Sequence, residues 1–293
     1  MDAANPSAHP TFASRTPLQI GGLGLAVRDL DRVTAFYRDV VGLDVIERTA
    51  SGVRLGAGAT AFLELTHRAG FKPDDGRSAG LYHTAFLMPT RADLARWVLH
   101  IAHDRVPIAG ASDHGVSEAF YLDDPEGNGV EVYADRPAET WAWQDGLVSM
   151  PTEPLDIPSL VSVLGAQPET YRGAPDGMRI GHVHLRVGDL APAERFYRDG
   201  VGLDLTRKRH GAAFMSSGHY HHRVAANVWQ SAGAGPRDPE RAGLDWFSLA
   251  VGEGAKIEAI GARLKGQGAA ATPITDGLEA RDPWGTRVRL VRG

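Results

Sequence analysis

The chain has 293 residues, of which 43% are hydrophobic and 23% are charged, and its formal net charge is −5. This balance is typical of a globular protein, and the length favours two domains of about 100 to 200 residues. A net negative charge does not suit a nucleic-acid groove, so we expect a small-molecule partner. Because the chain has no Cys, a transition-metal site would have to use His, Asp, Glu, Tyr or water.

The N-terminal segment, residues 1–17, has no basic stretch followed by an apolar core. No uninterrupted apolar run reaches the roughly 18 residues of a membrane span. We therefore expect a cytoplasmic protein with no membrane partner.

An internal repeat organises the rest of the chain. Segments 25–30, 36–39 and 41–44 recur as 185–190, 196–199 and 201–204, always 160 positions later. A fainter similarity relates segment 80–83 to 243–246 and segment 124–127 to 282–285. The chain therefore consists of four related units in the order A, B, A′, B′.

Each unit is predicted to contain one strand, one helix and three further strands. In the third unit, residues 183–187 alternate as a strand does, Asp189 is a candidate N-cap, and residues 192–198 suit a short helix. The short apolar runs 213–215 and 224–229 predict antiparallel strands. These patterns predict an α+β fold of four βαβββ modules. We place a first half at 18–136 (modules 18–68 and 79–136), a connector at 137–178, and a second half at 179–293 (modules 179–231 and 243–293).

Two strand positions can be compared across the four modules. The first position lies on the first strand of each module, three residues before a Leu or Phe, and holds Gly22, His83, His182 and Trp246 in module order. The second position lies on the last strand of each module, where we align Glu64, Glu131, Asn227 and Arg289. Two of the four modules therefore have a histidine, and only the second has both a histidine and a carboxylate.

Each of these residues also has an ordinary structural interpretation. A lone strand histidine is usually a core or surface residue, and Glu131 could lie on the outer face of an edge strand. Together they indicate a metal site, because His83 and His182 fall at the same position of the repeat and Glu131 falls on a neighbouring strand. Two imidazoles and one carboxylate leave open positions on a metal, which suits iron(II) oxygen chemistry.

The repeat and several motifs resemble the vicinal oxygen chelate superfamily, which includes glyoxalases, bleomycin resistance proteins and extradiol dioxygenases. The most similar branch is that of the bacterial catechol-2,3-dioxygenases, which are type I extradiol enzymes. The resemblance rests on segments 80–83 (GLYH), 124–133 (DPEGNGVEVY), 133–137 (YADRP), 181–185 (GHVHL) and 220–222 (YHH). It implies four modules arranged as two paired-module barrels.

The resemblance also implies a reaction and roles for particular residues. It implies extradiol cleavage of a catechol by O2 at iron(II), or occasionally manganese(II), held by His83, Glu131 and His182. His222 corresponds to the substrate-facing second histidine of a His-His pair and is the candidate acid or base. His114 and Tyr121 correspond to the polar residues on the other side of the substrate.

One departure from the family affects the pairing of modules. In the best-known members the third and fourth modules form the active site, but here Trp246 and Arg289 occupy the ligand positions of the fourth. We therefore expect the second module to pair with the third around the metal, and the first with the fourth, unless a second chain supplies the missing ligands.

Two other functions remain open from the sequence. Glyoxalase-like lyases or isomerases share the fold but usually place a fourth protein ligand on the metal, where our alignment has Asn227. Non-catalytic relatives bind small molecules but lack a complete ligand set. The resemblance also suggests a homo-oligomer, and the sequence does not identify the catechol.

Overall fold

The computed structural model describes residues 11–252 and 256–293. Residues 1–10, which belong to the N-terminal segment interpreted above, and residues 253–255 of the fourth module lie outside the described ranges. Within these ranges, no helix has both the length and the apolar character needed to cross a membrane.

Two eight-stranded sheets form the framework. The first has the order β16 (Ala271–Ile274), β17 (Gly277–Arg281), β18 (Arg287–Arg292), β15 (Gly243–Val251), β1 (Leu18–Val27), β4 (Thr60–His67), β3 (Gly52–Ala57), β2 (Asp44–Arg48). The second has the order β12 (Asp204–Arg209), β13 (Ala212–Ser216), β14 (Val224–Asn227), β11 (Arg179–Arg186), β5 (Gly80–Met88), β8 (Gly129–Asp135), β7 (Ser117–Asp123), β6 (Gly110–Asp113). A small hairpin pairs β9 (Trp143–Gln144) with β10 (Leu147–Val148).

The helices connect these strands. The α-helices are α1 (Leu30–Phe36), α2 (Arg91–His103), α3 (Ile157–Ser162), α4 (Leu190–Glu194) and α5 (Ile257–Gly266); π-helical turns cover Tyr37–Val41 and Arg195–Val201, and 3-10 turns cover Phe12–Arg15 and Ala138–Thr140. Asp189 caps α4 by accepting a hydrogen bond from the amide of Ala191, as predicted. The helix predicted at 192–198 begins two residues earlier, and it continues as a π-turn until Gly202, whose φ of 98° ends it.

The sheet order assigns the modules to two layers. The first sheet joins the first and fourth modules, and the second sheet joins the second and third. In each sheet the two modules meet through antiparallel first strands, β1 with β15 and β5 with β11. The prediction of an α+β fold with repeated modules is confirmed.

Both module junctions have the same irregularity. The pairing register skips one residue in each first strand: Gly21 and Asp245 in the first sheet, and Tyr82 and Gly181 in the second. Each first strand therefore has a bulge directly before its candidate ligand position. At Gly181 a Cβ atom would lie only 1.8 Å from the Tyr133 hydroxyl, so only glycine fits there. Bulges change the direction of neighbouring side chains, and these four act on the candidate ligand positions.

The two faces of the second sheet are covered differently. One face contributes to the main hydrophobic core, which includes residues of all four modules. The opposite face packs against the connector through Trp141, Val148 and Met150, and against Ala13 of the N-terminal turn. The part of the connector that follows β8 therefore forms one wall over this second face.

Two buried tyrosines link the sheets reciprocally. Tyr37, which follows α1, donates a hydrogen bond to Asp124 in the turn before β8 (3.3 Å), and Tyr197 donates one to Asp282 in the turn before β18 (2.9 Å). Each bond joins a helix of one sheet's module to the turn of the other sheet. Burial raises the pKa of Asp124, and it raises the pKa of Asp282 from 3.8 to about 6 despite the hydrogen bonds that this carboxyl accepts.

We predict that Asp282 makes stability depend on pH. Because the folded protein binds this proton more tightly than the unfolded chain does, the free energy of unfolding should fall as pH rises from about 4 to about 6, and this contribution should be constant at higher pH. A shift of two units corresponds to about 3 kcal/mol. In urea unfolding, Asp282→Asn should remove most of this fall.

The control is Asp199→Asn, because this exposed carboxyl has its pKa lowered by the hydrogen bond from Arg198. It should leave the fall between pH 4 and 6 in place. An Asp282→Asn profile parallel to that of the wild type would contradict the prediction.

Candidate metal centre

Three side chains from three adjacent strands meet on the second face of the second sheet. His83 lies on β5, Glu131 on β8 and His182 on β11. The Glu131 Oε2 atom lies 3.0 Å from His83 Nε2 and 3.1 Å from His182 Nε2, and the two Nε2 atoms are 3.3 Å apart. All three residues are buried. Among the described residues, these three form a group of potential metal ligands in which one donor atom from each lies within 4.8 Å of the other two.

The strand register explains this convergence. Ala85 on β5 pairs with Glu131 on one side and with His182 on the other. His83, two residues before Ala85, has its side chain on the same face because strand side chains alternate with a period of two. The small Ala85 side chain leaves space between the imidazoles and the carboxylate.

The donor set fits a divalent metal. Two ligands at right angles on a metal with bonds of about 2.1 Å are about 3 Å apart, which matches the three separations. Imidazole nitrogens with one carboxylate oxygen are the donors that a facial two-His, one-carboxylate iron(II) site uses. Both histidines direct Nε2 at the carboxylate, so the three donor atoms face a common point.

The electrostatics also favour the forms that bind metals. Burial alone would raise the pKa of Glu131, but the charges and hydrogen bonds of His182 and His83 lower it well below its usual range. Burial lowers the pKa of His182 to about 4, although Glu131 opposes this. At neutral pH the site therefore presents a carboxylate and, at His182, a neutral imidazole, which are the forms needed for ligation.

A cavity of about 780 Å³ opens on this triad. Besides the three candidate ligands, its lining includes His114, Tyr121, His184, His222, Phe214 and Trp229. This volume is within the usual range for small-molecule sites. All six site residues predicted from sequence therefore line one cavity.

His114 and Tyr121 form a hydrogen-bonded pair at the cavity wall. His114 Nδ1 lies 2.8 Å from the carbonyl oxygen of Pro151, and His114 Nε2 lies 2.7 Å from the Tyr121 hydroxyl. Because a carbonyl can only accept, a neutral His114 carries its proton on Nδ1 and accepts the Tyr121 proton at Nε2. Burial raises the pKa of Tyr121 well above its usual value, and the nearby Glu131 carboxylate, a second hydrogen-bond partner of the hydroxyl, raises it further.

His222 lies beside the triad, with its ring centroid 3.9 Å from that of His182. His221 and His222 are both buried. Burial lowers the pKa of His222 well below its usual value, and the neighbouring histidines lower it further. A neutral His222 therefore faces the cavity.

The alignment of Asn227 with Glu131 is wrong. Strand β14 pairs with β11 so that Ala225 lies opposite His184, just as Glu131 lies opposite Ala85. Ala225 therefore occupies the position that corresponds to Glu131 in the third module. Asn227 instead lies 3.0 Å from His184, at the Nε2 atom of a buried histidine that the sequence comparison did not single out.

The corresponding positions of the first sheet are filled. Trp246 lies so close to Gly24 that a Cβ atom there would be 2.2 Å from the indole nitrogen. The Arg289 guanidinium stacks 4.1 Å from the centroid of the Trp246 ring and is also paired with Glu279 at 3.0 Å. Packing of the indole and guanidinium thus takes the place of a ligand set.

Comparison with known proteins identifies the family. A profile of the Glyoxalase/Bleomycin resistance protein/Dioxygenase superfamily matches residues 19–132 and 179–290. The chain belongs to this superfamily, which confirms the resemblance inferred from the motifs.

Similarity to individual proteins is more specific. The chain is 34% identical over 270 residues to catechol-2,3-dioxygenase from Bacillus subtilis, covering 90% of this chain and 93% of that protein. It is 32% identical over 140 residues to biphenyl-2,3-diol 1,2-dioxygenase 3 from Rhodococcus globerulus, covering 42% of this chain and 67% of the relative. The crystal structure of glyoxalase I from Zea mays has a TM-score of 0.56 at 18% identity, covering 96% of this chain and 94% of that one, which supports the fold alone.

We predict that removing one member of the triad abolishes tight metal binding. His83→Ala and Glu131→Ala should each weaken iron(II) binding by more than about 100-fold. Loss of a residue that only hydrogen-bonds a ligand weakens metal binding by up to about 100-fold, and loss of a ligand itself should weaken it more. Metal content after anaerobic loading and desalting, measured by plasma mass spectrometry, is the readout.

His184→Gln is the matched control. This residue is also a buried histidine next to the triad, but its Nε2 is bonded to Asn227. It should retain nearly one metal per chain. Equal metal content in all three variants and the wild type would refute the assignment of the ligands.

Proposed function

We propose that this protein is an extradiol dioxygenase that cleaves the ring of catechol or a substituted catechol with O2, using iron(II), or alternatively manganese(II), held by His83, Glu131 and His182. The main support is the buried two-His, one-carboxylate triad on the wall of a cavity large enough for an aromatic diol. The similarity to catechol-2,3-dioxygenase over 90% of the chain supports the same reaction class.

The metal and the protein have separate tasks in this proposal. Bound at the triad, the metal supplies Lewis acidity towards the two catechol oxygens and a path for electrons from the ring to O2. The protein holds three ligand atoms on one side, keeps the carboxylate ionised and provides a cavity of about 780 Å³ beside them. Cleavage occurs at the ring bond next to the two hydroxyl groups.

Three further side chains handle protons and orientation. His222 is the candidate base that takes a proton from a catechol hydroxyl and later returns it as an acid, which requires a neutral imidazole at the start. Tyr121 corresponds to a polar residue beside the substrate in the family. Because its proton is directed to His114, we assign the Tyr121 oxygen to accept a hydrogen bond from a substrate hydroxyl.

The glyoxalase-like alternative draws support from the shared fold. It usually requires a fourth protein ligand, and Ala225 at the position that corresponds to Glu131 has no donor atom. The three-ligand set is therefore better suited to an oxygenase, in which substrate and O2 both need access to the metal. A non-catalytic binding protein would not need the buried triad.

We predict catechol-dependent oxygen consumption. Protein loaded with iron(II) under anaerobic conditions should remain colourless with catechol and should form a yellow ring-fission product when air is admitted, with one O2 consumed per catechol. An oxygen electrode and the visible spectrum measure both quantities. Turnover of catechol at the same rate without oxygen would contradict the proposal.

His222→Gln tests whether binding and chemistry are separate. It should retain the metal, since His222 is not a proposed ligand, but lower kcat by about 10² to 10⁴, the usual contribution of a general acid or base. Retention of wild-type kcat would remove His222 from the mechanism.

A further inference from the structure

A hydrogen-bonded chain of three side chains ends at the cavity. His221 Nε2 lies 2.9 Å from Asp135 Oδ1, and His221 Nδ1 lies 2.7 Å from His222 Nδ1. His221 is completely buried, and the Asp135 side chain is 17% exposed. The histidines lie between β13 and β14, whereas Asp135 ends β8, 86 residues earlier in the chain. The contact therefore joins the third module to the second.

The donor and acceptor rules decide where the protons are. A carboxylate can only accept, so His221 Nε2 must carry a proton and donate it to Asp135. In neutral His221, Nδ1 is then unprotonated and can only accept, and its partner is Nδ1 of His222. In this neutral arrangement His222 carries its proton on Nδ1, and its Nε2 is left with a free lone pair.

The surroundings keep this arrangement in place. The His221 ring lies between Tyr220 and Trp141, with ring centroids 4.1 Å and 5.1 Å away. The Tyr220 hydroxyl donates a second hydrogen bond to Asp135 Oδ1 at 3.2 Å. Rotation of the His221 ring would require these aromatic neighbours to move, so the order of donors and acceptors is held by packing as well as by hydrogen bonds.

We propose that Asp135 and His221 are positioning residues that hold His222 with Nδ1 protonated and its Nε2 lone pair available to the cavity. The inference rests on the proposed function, in which His222 accepts a substrate proton. In that step the catechol O–H bond breaks, its proton binds Nε2, and the electron pair stays on the catechol oxygen. The opposite tautomer would present an N–H group to the cavity and could not accept this proton.

Two substitutions at one position separate polarity from packing. In His221→Gln, the amide nitrogen can donate to Asp135 and the amide oxygen can accept from His222, so the hydrogen-bond order is preserved. In His221→Phe, the ring still packs between Tyr220 and Trp141 but has neither donor nor acceptor. Asp135→Ala removes the acceptor at the other end of the chain.

The first measurement does not depend on activity. In full-length, chelator-treated protein labelled with ¹⁵N-histidine, the ring-nitrogen shifts of His222 should show protonated Nδ1 and unprotonated Nε2. His221→Gln should keep this pattern, whereas His221→Phe and Asp135→Ala should give a mixture of tautomers. Protonated Nε2 on neutral His222 in the wild type, or an unchanged pattern in all variants, would overturn the inference.

The second measurement uses the iron(II)-loaded protein with catechol. His221→Phe should lower kcat by about 10²-fold with little change in KM, because a misplaced base affects the chemical step more than binding. His221→Gln should lower kcat by only about 10-fold relative to the wild type. Equal losses for Gln and Phe would overturn the positioning role. If the wild type cleaves no catechol, the proposed function fails, while the tautomer measurement still decides the arrangement of Asp135, His221 and His222.

Discussion

Antiparallel pairing of β5 with β11 is the contact on which the candidate site depends. His83 and His182 are 99 residues apart in the chain, and this pairing brings their Nε2 atoms to within 3.3 Å of each other. Side chains alternate along a strand, so a slip of one residue in either strand would turn one imidazole to the opposite face. The bulges at Tyr82 and Gly181 help to set this register, and the space required by the Tyr133 hydroxyl restricts one of them to glycine. Backbone pairing thus fixes the distance between the candidate ligands.

The two sheets use one framework for different purposes. Both have antiparallel first strands with bulges at corresponding positions. In the second sheet, Ala85 and Ala225 leave space around polar side chains, whereas in the first the Trp246 indole fills the corresponding region and stacks on Arg289. In the first sheet, Trp246 and the Arg289–Glu279 ion pair occupy the ligand positions, so the same backbone pairing forms there without a metal-ligand set. The chemistry depends on which side chains occupy a small number of positions.

The sequence carries a clearer signal for the repeated modules and for the candidate triad than for the details around them. The exact offset of 160 residues defines the repeat. The Asp-Pro-x-Gly turns that begin at 124 and 282 align Glu131 with Arg289, because each of these residues lies the same number of positions after its turn. The module pairing expected from Trp246 and Arg289 corresponds to the observed sheet order. The third module has no such turn before β14, so the sequence offered no reference point, and Asn227 was aligned two residues away from Ala225. The partnership of Asp135 with His221 depends on tertiary structure and has no local signal.

The reciprocal tyrosine bonds have a consequence for how the chain assembles. Helix contacts join modules that are consecutive in sequence, such as Tyr37 with Asp124, whereas each sheet needs one module from each half of the chain. Neither half can complete a sheet before the other is made, and closing such long loops is entropically costly and slow. During synthesis, the edges of β1 and β5 that later pair with β15 and β11 remain without those partners until the second half emerges. The order of modules along the chain therefore delays formation of the triad until at least His182 has been synthesised. Until then, the first half has exposed strand edges that are prone to association.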